Sequence, residues 1–203
     1  MLNKYPICHV SRLRMGSDGD GIRSLILVSE CTLRCKYCIN PFTWDGSQQP
    51  QMLSADEVYS KICIDRPYIM ATNGGITFGG GEPLLYPHLI NDIRNICEPD
   101  MSFYVETSLN VDWENIETSA EVVDKYYVDI KTMDPDMYRE YTGGELEVAL
   151  SNLKKLIERF PDSVVVRLPE IPGLVDKEKQ KKGQRLLQEI GIKKINLFKY
   201  RIT

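Results

Sequence analysis

No apolar run in the 203 residues approaches the roughly 20 needed to span a bilayer, so no membrane partner is expected. The opening stretch, MLNKYPICHVSRLRMGS, lacks the apolar core of a secretory signal. Positive charge is not in excess. The 25 Lys and Arg against 29 Asp and Glu leave a formal net charge of −4, which gives no electrostatic reason to expect a nucleic-acid partner. Internal repeats and low-complexity tracts are missing, and no stretch is rich enough in Pro, Gly or Ser to act as a linker. One domain over residues 1–203 is therefore expected, with an N-terminal segment at 1–22 and the main body at 23–203. Cysteine is sparse at six, and no second C-x2-C pair exists. These absences together predict a cytoplasmic protein, where thiols stay reduced and clustered cysteines bind metal more often than they pair.

What is present is ordinary for a folded domain: 42% hydrophobic and 27% charged residues. Arg12, Arg14, Arg23, Arg34 and Lys36 make the N-terminal quarter locally basic, read here as a solvated face. Three cysteines fall in one window, Cys31-Thr-Leu-Arg-Cys35-Lys-Tyr37-Cys38, spaced C-x3-C-x2-C, directly after a strand signal at Ser24–Ser29. Cys8, Cys63 and Cys97 are scattered and are expected to be inert core thiols. Structural zinc takes four ligands, and a fourth would have to come from His9, His88 or a lone cysteine, although both histidines read as surface residues. Iron–sulfur clusters also take thiolates, normally four, and three on a four-iron cluster leave one iron open. From spacing alone, both metals remain in play.

Along the chain, Ser54-Ala-Asp-Glu57 is a capping box that opens a helix to about Asp65, with Pro67 closing it. Ile76–Phe78 is a short strand ending in Gly79-Gly80-Gly81-Glu82-Pro83, and Tyr86-Pro87 starts a helix with Leu89, Ile90, Ile93 and Cys97 on one stripe. Ser102–Thr107, Lys125–Lys131, Ser163–Leu168 and Lys194–Tyr200 complete six strands. Helices are expected at about 113–123, 135–142, 145–159 and 176–190. Six strands alternating with helices imply an α/β fold with a parallel sheet. The choice lies between an open doubly wound sheet and a partial (β/α)6 TIM-like barrel with a six-stranded open sheet. Cys31–Cys38, Gly80–Glu82, Glu106-Thr107, Asp129 with Lys131, Arg167 and Arg201 all sit at or just past the C-terminal ends of strands. That rim is where barrels build active sites, and it favours the barrel.

C-x3-C-x2-C followed by a strand-terminal Gly80-Gly81-Glu82 resembles the radical S-adenosylmethionine (SAM) superfamily. The resemblance narrows over residues 13–201. Asp18-Gly-Asp-Gly-Ile-Arg23, the cysteine motif with Asn40, Thr43-Trp-Asp45, Gly80-Gly-Glu82, Glu106-Thr107 and Asp129-Ile-Lys131 follow the order seen in glycyl radical enzyme activating enzymes. This resemblance implies a radical SAM core and a [4Fe-4S] cluster ligated by Cys31, Cys35 and Cys38, with SAM on the remaining iron. It implies Tyr37 beside the adenine and Gly80, Gly81 and Glu82 at the methionine end. Glu106, Thr107, Asp129, Lys131, Arg167 and Arg201 complete the SAM surroundings, with a monovalent cation near the first three. The implied partners are a glycyl radical enzyme as protein substrate and a reductant such as flavodoxin or ferredoxin.

The chain departs from that pattern in places. Asp20 stands where the family has Pro, Glu30 where it has Gly, Ile39 after the last cysteine, Glu106 for Asp, and Arg201 for His. Two other functions therefore stand beside activation. One keeps the cofactors but acts on a small molecule or peptide. The other is a non-catalytic iron–sulfur or zinc module. Glu106, Asp129 and Lys131 also have a plain reading, as rim ion pairs.

Overall fold

The computed structural model describes residues 3–200, so Arg201 lies outside the described residues. The chain is α/β and packs as two compact units, one of residues 3–31, 40–106 and 112–124, the other of 32–39, 107–111 and 125–200.

In the first unit, β1 (Tyr5–Met15) pairs antiparallel with both β2 (Ile22–Val28) and the three-residue β3 (Gln51–Leu53). Its ladder with β2 is irregular between Ile7 and His9 and again between Ser11 and Arg14, where Leu13 takes the left-handed region at φ 52°. β1 and β3 were not anticipated. Helix α1 (Ala55–Ile62) opens on the expected capping box, with both Ser54–Glu57 bonds made. It stops early. A short turn follows, and Pro67 sits in the first turn of α2 (Arg66–Ala71), where a missing N–H costs nothing. Pro67 thus opens a helix rather than closing one, and Cys63, in the turn between the two, is exposed rather than a core thiol.

From β2 the sheet continues in parallel to β4 (Gly75–Gly80) and β5 (Ser102–Thr107), flanked by α3 (Pro87–Ile96) and α4 (Trp113–Ser119). Register sorts the side chains by alternation. Apart from Ser24, one face is apolar across the three strands, with Ile26, Phe78 and Val105 aligned. The other carries Arg23, Thr77, Ser102, Tyr104 and Glu106. Arg23 is 1% exposed there. Its guanidinium donates to Thr77 Oγ1 (2.7 Å), the Ile76 carbonyl (2.7 Å), Ser102 Oγ (2.9 Å) and the Ser102 carbonyl (2.9 Å), and lies 3.6 Å from the centre of the Tyr104 ring.

In the second unit, β6 (Lys125–Asp129), β7 (Val164–Glu170) and β8 (Ile195–Lys199) pair in parallel. Helix α5 (Pro135–Thr142) is capped by Asp134 and ends on Gly143 at φ 72°, a left-handed turn suited to glycine. Helix α6 (Leu146–Arg159) buries Leu146, Ala149, Leu153 and Leu156. Helix α7 (Lys177–Glu189) starts at the expected Asp176 cap, whose carboxylate accepts from the Lys179 amide at 2.8 Å.

Candidate functional site

The cysteine loop begins where β2 ends. Glu30, the residue before Cys31, holds a left-handed backbone (φ 66°); its amide donates to the Thr43 carbonyl at 2.7 Å. The strand-terminal glycines after β4 press against the same place. The Gly81 amide donates to the Val28 carbonyl (3.1 Å) and the Glu82 amide to the Glu30 carbonyl (2.8 Å). A Cβ on Gly81 would stand 1.8 Å from the Glu30 oxygen, and Gly80 has φ 97° with Leu27 backbone 2.8 Å from any Cβ. These two glycines are therefore required by the chain's own backbone packing, in addition to any ligand they approach. Glu82 is buried at 1% exposure, and one of its carboxylate oxygens accepts from the Leu84 amide at 3.3 Å. The Glu106 carboxylate lies over Gly79, within 3.3 Å of where its Cβ would be, and its charge is felt at Arg14.

In the second unit, the loop from Thr32 to Ile39 is tied down by backbone. Arg34 and Lys36 amides donate to the Thr142 (2.7 Å) and Tyr141 (3.0 Å) carbonyls at the end of α5, and the Cys38 amide donates to the Cys35 carbonyl at 3.2 Å. The Lys36 ammonium meets Glu140 at 2.7 Å on the outside. The Tyr200 hydroxyl donates to the Tyr37 carbonyl, between the last two cysteines. Cys35 packs, with Tyr200 and Met137, against a buried cluster of Tyr141, Ile171 and Val175. Burial pushes the Cys35 thiol up to about 11, with the Lys131 charge pulling the other way.

That lysine belongs to a charged triad. Arg167 grips Asp129 through Nε to Oδ1 (2.7 Å) and Nη2 to Oδ2 (3.1 Å), and Lys131 Nζ meets Oδ2 at 3.1 Å. Burial alone would raise the Asp129 carboxyl, but the Arg167 and Lys131 charges outweigh it and hold it down at about 2. Both oxygens are thus engaged by side-chain cations, which weakens any claim of Asp129 on a further cation. Thr107 Oγ1 accepts from the Leu109 amide at 2.9 Å and shapes the turn after β5. The second unit therefore gathers Cys35, Tyr37, Cys38, Asp129, Lys131 and Arg167. The first sets Gly80, Gly81 and Glu82 against the residue preceding Cys31. Tyr141 and Tyr200 were not singled out from sequence, because nothing local marks a tyrosine on α5 or past β8 as a neighbour of the cysteines.

The model of the radical SAM superfamily matches residues 25–181. The chain is 32% identical over 185 residues to the pyruvate formate-lyase-activating enzyme of Clostridium pasteurianum, covering 90% of this chain and 77% of that protein. It is 26% identical over 233 residues to the indoleacetate decarboxylase activating enzyme of Tractidigestivibacter scatoligenes, covering 82% and 73%. In fold it resembles the crystal structure of Streptococcus suis SuiB bound to S-adenosylmethionine, with a TM-score of 0.65 and 16% identity over 86% of this chain and 39% of that one. The chain spans under half the length of SuiB. The α/β fold, with its mostly parallel open sheet, is the partial TIM-like barrel expected from the strand pattern.

The chain belongs to the radical SAM superfamily and is an enzyme of the radical SAM activase type. Its cofactors are a [4Fe-4S] cluster and SAM, and its chemistry is SAM cleavage with generation of a radical. The residues present fit the cluster. Cys31, Cys35 and Cys38 form no disulfide, and among the described residues no three His, Cys, Asp or Glu side chains converge as they would around a single ion. Thiolates of a cubane each bind a different iron, so they need not converge on one point.

Proposed function

We propose that this enzyme activates a partner protein by abstracting a hydrogen atom from a glycine of a glycyl radical enzyme. One observation carries the reading: 32% identity, across 90% of the chain, to a protein whose name says it activates another enzyme. Residues 1–203 are taken as a single radical SAM domain working in the cytoplasm.

In this reading Cys31, Cys35 and Cys38 would hold the cluster, with SAM bound beside it. Together the two cofactors, once reduced, would supply the radical that abstracts hydrogen. Every other task falls to the chain. Gly80, Gly81 and Glu82 receive the methionine end of SAM, and Tyr37 covers the adenine. Burial works against the charge on Lys131, but Asp129, Cys35 and Tyr200 together outweigh it, so Lys131 keeps its proton and offers a fixed positive charge to the polar groups of SAM. Arg167 fixes the Asp129 carboxylate through both oxygens and thereby orients Lys131. Glu106 and Thr107 remain candidates for a monovalent cation. A flavodoxin or ferredoxin supplies the electron.

The test is anaerobic reconstitution with iron and sulfide, addition of SAM and dithionite, then the partner enzyme. The expected results are 5′-deoxyadenosine that vanishes in Cys35→Ala and a glycyl radical signal in the partner. An intact cluster that never cleaves SAM would sink the reading. Cleavage with no glycine-radical acceptor, but with turnover of a small molecule or peptide, would replace the partner and keep the chemistry.

A further inference from the structure

Tyr141, near the end of α5, is 1% exposed, and its hydroxyl has no hydrogen-bond partner among the described residues. A buried phenol that donates to nothing bears the desolvation cost of its O–H, a cost that phenylalanine of the same shape avoids. Its surroundings point to the missing acceptor. Tyr141 forms the buried cluster with Ile171 and Val175 on which Cys35 packs, and the Tyr37 ring meets its ring edge-on at 6.0 Å between centroids. The Tyr141 carbonyl accepts from the Lys36 amide, so the residue is bound to the cysteine loop through its backbone as well. The proton remains without a destination.

We propose that the Tyr141 hydroxyl donates a hydrogen bond to a sulfur of the cluster at Cys35, and that this bond raises the cluster's reduction potential. This rests on the reading of Cys35 as a cluster ligand. Reduction adds one electron, and so one negative charge, to the iron–sulfur unit. A donor aimed at its sulfur stabilises the reduced form more than the oxidised form. No proton is transferred; the hydroxyl donates in both states.

The test uses the full chain as Tyr141→Phe, reconstituted anaerobically with iron and sulfide and titrated without SAM, following the signal of the reduced cluster. At a fixed applied potential the reduced-to-oxidised ratio is expected to fall about tenfold, a midpoint shift of ~59 mV to lower potential for one electron. Site-specific fluorotyrosine at 141, a stronger donor of nearly the same shape, is expected to shift the midpoint the opposite way. The metal-free Tyr141→Phe protein should be at least as stable to urea as the parent, because a buried orphan hydroxyl has gone. An unmoved midpoint in both variants overturns the assignment, even if SAM affinity changes. A parent protein that takes up no cluster overturns this and the cluster reading together, and iron content shows that before any titration.

Discussion

The Tyr200 hydroxyl, one residue past β8, donates to the Tyr37 backbone carbonyl in the middle of the Cys-x2-Cys stretch. A residue near the far end of the chain therefore holds the loop that carries two of the cysteines, while its ring packs against the same buried cluster as Cys35. Removing the hydroxyl costs one neutral hydrogen bond, about 1 kcal/mol. Tyr200→Phe is expected to leave the fold intact and to release iron to a chelator roughly fivefold faster. The rate of loss of the cluster's visible absorption would show it.

Arg23 is the largest side chain that is fully buried, and its donors satisfy the Ile76 and Ser102 carbonyls and the Thr77 and Ser102 hydroxyls. Arg23→Met strips these acceptors and is expected to cost about 3 kcal/mol or more, read as a lower urea midpoint with unchanged slope. Arg23→Lys should rescue little, because one ammonium cannot reach acceptors spread over two neighbouring strands.

Asp129, held at about 2 against an ordinary value of 3.8, binds its proton more weakly folded than unfolded. The stability this gives is fully present above pH 3.8 and is lost as pH falls towards 2. Its size is on the order of 2 kcal/mol. Asp129→Asn should therefore lower stability at pH 7 and flatten its dependence on pH in that acid window, as followed by thermal melts across the series.

Gly81→Ala would drive a methyl into the Glu30 carbonyl, 1.8 Å from the ideal Cβ, with backbone rather than a flexible side chain in the way. The expected cost is ~3 kcal/mol. The displaced Glu30 should also lower cluster loading, since it directly precedes Cys31. Iron per chain after reconstitution, set beside the urea midpoint of the metal-free variant, separates this local effect from a general loss of stability.

The six parallel strands were legible because runs such as Leu25–Val28 and Val164–Val166 are apolar, β-branched in part, and bounded by Gly, Pro and charged residues. β1 was not. His9, Ser11, Arg12 and Arg14 interrupt its apolar residues, and two ladder irregularities break the alternation that would have given it away. Pro67 misled because a proline is as compatible with the first turn of a helix as with the end of one. The segments carrying the cysteines and glycines could be read locally. Tyr141 and Tyr200 could not, because their relation to Cys35 exists only once α5, β7 and β8 have come together.

The bonds that tie down the cysteine loop, from the Arg34, Lys36 and Glu30 amides and the Tyr200 hydroxyl, are all made between protein groups. They ask nothing of iron. Zinc-finger peptides fold only as the metal arrives, so losing it means losing the fold. Here the loop is also held by bonds that use no thiol, at Glu30, Arg34, Lys36 and Tyr37. A loop held this way is expected to keep those bonds when oxygen destroys the cluster, so that fresh iron and sulfide restore it without new synthesis of the chain.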